Sequence, residues 1–115
     1  MSRPARLLVI AADRWSIAGM LDFDGVALLA PEGRRLLRAA ARQGVRRITI
    51  DLAAVEFANS AALALLLDWL ALARHQGLEL GYAQIPESLV HLASLSNLGG
   101  LLPLVDQGPS RPVAA

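Results

Sequence analysis

Few side chains in this sequence combine the type and spacing that chemistry requires. The two histidines, His75 and His91, fall in different apolar-periodic segments. Neither has a second histidine or a carboxylate at metal-ligand spacing. His75 lies near the end of a helical run, where a cation is favoured by the helix dipole. Asp13, Asp22, Asp24, Asp51 and Asp68 are dispersed, so no paired-carboxylate acid–base site can be drawn. With no cysteine in the chain, thiolate nucleophiles, disulfides and cysteine-held metals drop out together. Neither standard Gly-rich phosphate loop is present, Gly99-Gly100 being too short, and no serine sits in a nucleophile elbow. These residues predict a protein that is not an enzyme and that holds no metal or cofactor.

One hydroxyl stands apart. Asp51 to Leu67, DLAAVEFANSAALALLL, reads as the end of a strand, a short turn, and a helix that opens at Ser60. A serine just before an apolar-periodic run is an N-cap, whose oxygen accepts a backbone N–H of the first turn, worth about 1 kcal/mol. Capping alone would account for it. A helix N-terminus is also where a phosphate is tolerated, because unpaired N–H groups and the positive end of the dipole face it. Phosphorylation would place a charge of about −2 among Phe57, Ala58, Ala61 and Ala62, a surface otherwise nearly apolar. That change would eject an apolar partner; unmodified, the same serine could serve as a contact residue.

The elements that must hold this turn follow from periodicity. Leu7 to Ala12 (LLVIAA) is a short apolar run, and Trp15 to Met20 alternates, so both are predicted strands joined at Asp13-Arg14. Asp22 to Gly25 reads as a polar break. Leu29, Gly33, Leu36, Leu37, Ala40 and Ala41 form one stripe of a helix, with arginines opposite. Pro31 fits a first helical turn, so the main helix is expected from near Ala30, ending at Gly44. Arg47 to Leu52 (RITIDL) is a strand, Ser60 to Gln76 a second helix, Leu78 to Ala83 a strand and Pro86 to Ser96 a third helix. Leu101 to Val105 is a possible edge strand, Pro103 forbidding a central place. Residues 106–115 read as a disordered tail. The order implies an α/β fold with a mixed sheet of four to five strands and right-handed βαβ crossovers, packed with three to four helices.

In the second helix, Leu63, Leu66, Leu67 and Leu70 share one face, which is expected to cover the sheet. Leu65 and Leu72 lie nearly opposite, near Trp69 and flanked by Asp68, His75 and Gln76. Two leucines on an outer face suggest a docking surface for a partner. An apolar outer face could equally serve a homodimer.

Bulk composition narrows the classes further. The 115 residues suit one domain, and 55% are hydrophobic while only 4% are aromatic, so the core is aliphatic. A formal charge of +1, from 11 basic and 10 acidic residues, gives no electrostatic footprint for nucleic acid. Arg34, Arg35, Arg38, Arg42, Arg46 and Arg47 read as a solvated helix face, the alternative being a surface for an anionic partner, lipid or protein. No secretory signal is recognised. The apolar run from Ala61 to Ala73 is shorter than the roughly 20 residues of a membrane span and carries Asp68.

Asn59-Ser60-Ala61-Ala62-Leu63, after a β-rich run ending in Asp51, resembles the signature of the STAS domain, in which a strand leads into an Asp-Ser/Thr-x-Gly-Leu turn that opens a helix. The resemblance covers Leu7 to Val105 and places a STAS domain at residues 1–105. Within the family, the likeness is to the stand-alone STAS subunit (MlaB-like) of bacterial Mla phospholipid-transport ABC complexes. Asp51-Leu52, Ser60 to Leu67, Ala73 to Gly77 and Leu92 to Leu98 carry it. It implies a cytoplasmic subunit, peripheral to the inner membrane, that binds and supports the transporter's ATPase subunit. Asn59, Ser60, Ala61, Leu65 and Leu72 are then the partner-binding residues. The wider family implies an alternative, an anti-sigma-factor antagonist whose Ser60 is phosphorylated by a serine kinase. Two positions depart from the signature: Asn59 replaces the usual aspartate and Ala62 the usual glycine. Both weigh against a phosphorylation switch more than against a packing role.

Overall fold

The computed structural model describes residues 3–96. The predicted edge strand at Leu101–Val105 and the tail at 106–115 lie outside them. Seven elements follow in order: β1 (Arg6–Ala11), β2 (Arg14–Leu21), α1 (Phe23–Arg42), β3 (Arg47–Ala58), α2 (Ser60–His75), β4 (Glu79–Ala83) and α3 (Glu87–Leu95). The strands form one mixed sheet in the order β1-β2-β3-β4. β1 is antiparallel to β2, and β2, β3 and β4 run parallel. This is the α/β architecture expected of the sequence.

Two crossovers, β2 to β3 and β3 to β4, step across the sheet in the same direction. Right-handed crossovers of that kind put both helices on one face, and α1 and α2 do pack against each other. The strands show it in their alternation. Trp15, Ile17 and Leu21 of β2, Ile48, Ile50 and Leu52 of β3, and Leu80 and Tyr82 of β4 are buried beneath the helices. On the opposite face lie Arg6, Leu8, Ser16, Ala18, Thr49 and Asp51, exposed or half-buried. Arg14 reaches across that face to donate to Asp51 at 3.2 Å.

α1 buries Gly25, Leu29, Gly33, Leu37 and Ala40, and Leu36 and Ala41 pack against the core, so the stripe read from the sequence is the buried one. Its start differs from expectation. The helix begins at Phe23, not near Ala30, and the supposed polar break is its cap: Asp22 Oδ1 accepts from Gly25 N at 2.9 Å. Pro31 therefore lies inside the helix, on the exposed side. There the lost N–H bond faces solvent, and the five core contacts on the other side hold the helix continuous.

β3 is also longer than the sequence suggests, running to Ala58 where Leu52 was the expected end. Residues 52–58 pass beyond β4, whose last register pair is Asp51–Ala83, and pair only with β2. Beside this extension Gly19 adopts φ +91, and a Cβ there would stand 2.2 Å from the Pro4 carbonyl oxygen. Only glycine allows the N-terminal segment to lie so close.

Under α2, the phenol of Tyr82 is fully buried and donates to the Leu66 carbonyl at 2.6 Å. Burial, with Asp68 nearby as a lesser cause, raises its pKa well above the ordinary tyrosine value. It is a neutral anchor between sheet and helix.

Candidate functional site

The register of β2 on β3 builds the site. Leu21 pairs with Ala58, so the residues that follow them, Asp22 and Asn59, stand at the same end of the sheet. Each is an N-cap: Asp22 for α1 and Asn59 for α2. Two helix N-termini are thus gathered at the carboxyl ends of neighbouring parallel strands, where open α/β sheets generally place their sites.

At the α2 end the cap is Asn59 and not Ser60. Asn59 is extended (φ −123, ψ −165), its Oδ1 accepts from Ala61 N at 2.9 Å, and its backbone carbonyl accepts from Ala62 N at 3.0 Å. Ser60 is the first helical residue. It is exposed, and its hydroxyl makes no hydrogen bond with the described residues. The correction changes the meaning of the serine. As a cap, its oxygen would be occupied by the backbone; as the residue after the cap, it is free for a partner or a modifying group. Asparagine in place of the signature's aspartate keeps the capping acceptor without its charge. Ala62, in place of glycine, is fully buried, so its methyl packs into the core rather than obstructing an approach.

Two aromatic rings are exposed at this end, Phe23 at 72% and Phe57 at 45%, alongside the exposed carboxylates of Asp24 and Glu56. Ala61 is half-buried. One pair of opposite charges at this end is loose: Arg3 and Glu56 approach only to 4.0 Å, both well exposed.

Leu65 and Leu72 are not on the outer face. They are 2% and 7% exposed, because α1 lies along that flank of α2. Two contacts fix the helix pair there. Trp69, fully buried, sits against Gly33 and donates Nε1–H to the Ala30 carbonyl at 3.3 Å. Arg34 Nη1 donates to both oxygens of Asp68, at 2.8 and 2.9 Å. Of the four leucines assigned to the core, Leu63 and Leu66 are buried and Leu67 and Leu70 are half-buried. The face that α2 leaves open carries Ser60, Ala64, Asp68, Ala71, Arg74 and His75, with the half-buried Leu67 among them. Ala64, Leu67 and Ala71 were missed by the sequence reading. Their signal was size: they are mostly the small residues of a leucine-rich helix, and a smooth face lets another surface approach closely.

His75 and His91 are both exposed, and no group of three or more metal-ligating side chains occurs among the described residues. Among these residues, no helix is long and apolar enough to cross a membrane.

The family model described as Mlab, STAS domain, matches residues 10–105, and the chain therefore belongs to that family. Solved structures share its fold. The anti-sigma factor antagonist SpoIIAA in its unphosphorylated form superposes with a TM-score of 0.61 at 17% identity, over 90% of this chain and 89% of the other. The phosphorylated form of the Bacillus cell fate determinant SpoIIAA gives 0.57 at 18%, over 90% and 92%. A Thermotoga maritima protein described as an anti-sigma factor antagonist gives 0.61 at 18%, over 90% and 85%. At these identities the likeness establishes the fold. No curated protein matches the chain.

Proposed function

From its place in the Mlab STAS family, we propose that this chain is a non-catalytic docking subunit. Its partner is the ATPase subunit of a phospholipid-transport ABC complex of the Mla type. It works in the cytoplasm, peripheral to the inner membrane through that complex. The contact surface is the Asn59–Ser60–Ala61 turn with Ala64, Leu67 and Ala71 behind it. The observation that carries this reading is the unengaged Ser60 hydroxyl, set by its neighbour's cap beside the exposed ring of Phe57. A hydroxyl and small side chains at the centre of a contact allow close packing with one directional hydrogen bond.

A second reading has its own support. The solved neighbours are named as anti-sigma factor antagonists, one of them in a phosphorylated form. Ser60 is exposed and lies at a helix N-terminus, where a phosphate would be tolerated. In that role a serine kinase would modify Ser60 and thereby release an anti-sigma factor.

Affinity purification of the tagged chain from native lysate, with mass spectrometry of both the partners and the Ser60 peptide, separates the two. An ABC ATPase with unmodified Ser60 is the expected result. An anti-sigma factor or serine kinase with phosphorylated Ser60 would replace the first reading with the second. With the purified ATPase, Ser60→Glu should weaken binding about tenfold or more, because it buries a charge in the contact. Its melting temperature should not fall, since an acidic residue at the first helical position suits the dipole. Unchanged binding by this variant would remove the turn from the interface.

A further inference from the structure

We propose that β1 is a self-association edge, and that two copies of this chain join their sheets by pairing their β1 strands antiparallel. β1 is an outer strand, with β2 on one side. Outer strands usually carry charges, prolines, β-bulges or a cover that prevents pairing with another chain. β1, RLLVIA, has a single charge at Arg6, and its register shift lies at the far end, between Val9 and Ala11, leaving Arg6 to Val9 as a regular ladder. Leu8 is exposed, Val9 is 53% exposed and Ile10 63%. The other outer strand among the described residues is different: from Leu80 to Ala83 it is buried, and its one charge, Glu79, is paired with Arg47 at 3.0 Å.

The occupant is identified by register. In an antiparallel pair, residues directly opposite each other point to the same face of the sheet. Arg6 and Leu8 oppose Ala18 and Ser16 on the open face, while Leu7 and Val9 oppose Ile17 and Trp15 on the helix face. Setting Leu8 against Leu8 of a second copy puts Leu7 against Val9 within the regular ladder, and Arg6 level with the bulge that follows Val9. Apolar residues then meet apolar residues on the helix face. The two arginines are carried to opposite ends, so no like charges face each other. The two-fold axis runs through Leu8, perpendicular to the sheet, as a self-complementary strand requires.

The helical layer closes along with the sheet. α1 packs on both β1 and β2; an axis midway between the two strands would lie about half a strand spacing inside the edge. With strands about 4.8 Å apart, the two α1 axes would stand about 10 Å from each other. That is within the ordinary range for packed helices, about 8–10 Å. On this flank a cleft of about 130 Å³, lined by Val9, Trp15, Leu36 and Ala39, opens beside the strand. Leu7 of the second copy, opposite Val9, covers its mouth. The surface is separate from Ser60, so each copy keeps its docking turn open.

Sedimentation equilibrium of the full chain tests this. The wild type should sediment as a reversible dimer. Leu8→Lys and Leu8→Glu each set two like charges against one another on the axis, and each should raise the dissociation constant about tenfold or more. Mixed one to one, the two variants should dimerise again, because their charges now face as opposites. A monomeric wild type, variants that dimerise as well as the wild type, or a mixture that stays monomeric would each overturn the proposal. Thermal melting shows whether the variants are folded. If a Leu8 variant is not, Val9→Lys, which faces Leu7 of the second copy, must separate the dimer in the same way.

Discussion

α1 and α2 lie side by side on the same face of one sheet, yet the sequence describes them very differently. α1 has one continuous apolar stripe with its arginines on the other faces, and the stripe is the buried one: Leu29, Gly33, Leu37, Ala40. α2 is apolar almost all round, and its period does not say which side faces out. It is flanked by α1 along Leu65 and Leu72 and meets β4 and α3 on its other side. What remains open is decided by these neighbours and not by α2 itself. A hydrophobic period locates a buried face when the opposite face is polar; on an all-apolar helix it only reports that most faces are covered.

The largest effect that tests this contrast is at Leu72. On an outer face, Leu72→Asp would change stability by no more than about 0.5 kcal/mol. Beneath α1 it buries a carboxylate without a partner, and a loss of about 3–5 kcal/mol or outright unfolding is expected. Leu66→Ala, at the centre of the buried face, should cost about 2–5 kcal/mol. Chemical denaturation of the two variants measures both. A Leu72→Asp protein as stable as the wild type would return that leucine to the surface and restore Leu65 and Leu72 as an outer, docking face of α2.

Where sequence reasoning succeeded, one local signal was enough. Gly44 and Gly77, both with positive φ, follow the ends of α1 and α2, and the β-branched Ile48 and Ile50 marked the central strand. The turn before α2 was recognisable from Asn59-Ser60-Ala61. It failed where two candidates competed for one role. Asn59 and Ser60 are both good caps, and only the backbone shows Asn59 in the extended conformation a cap needs. Asp22 read as a break because Pro31 looked like a helix start, although a proline on the solvent side is tolerated farther in. The reach of β3 to Ala58 depends on pairing with β2, a contact distant in sequence that carries no local mark.

A middle-sized effect sits at the crossing of the two helices. In an exposed helix, Gly→Ala stabilises by about 1 kcal/mol through propensity alone. At Gly33 the sign should reverse. A Cβ there would lie 2.1 Å from Trp69 Cζ2, and the indole is held by burial and by its bond to Ala30. Gly33→Ala should therefore destabilise by about 1–3 kcal/mol and alter the tryptophan near-UV signal. A stabilised variant with an unchanged signal would mean that α1 and α2 do not cross so closely.

The smallest effect distinguishes two adjacent side chains. If Asn59 caps α2, Asn59→Ala should cost about 1 kcal/mol, while Ser60→Ala should stay within about 0.5 kcal/mol. Asn59→Asp retains the acceptor and adds a charge that the helix N-terminus favours, so it should stabilise by about 0.3–1 kcal/mol. Urea midpoints of the three variants decide the order. Were Ser60→Ala the costlier alanine substitution, the serine oxygen would be engaged with the backbone, and the docking turn would lose the free hydroxyl on which its proposed role depends. The order predicted here leaves Ser60 almost irrelevant to stability. A strong effect of Ser60 substitutions on ATPase binding would then be attributable to the contact and not to the fold.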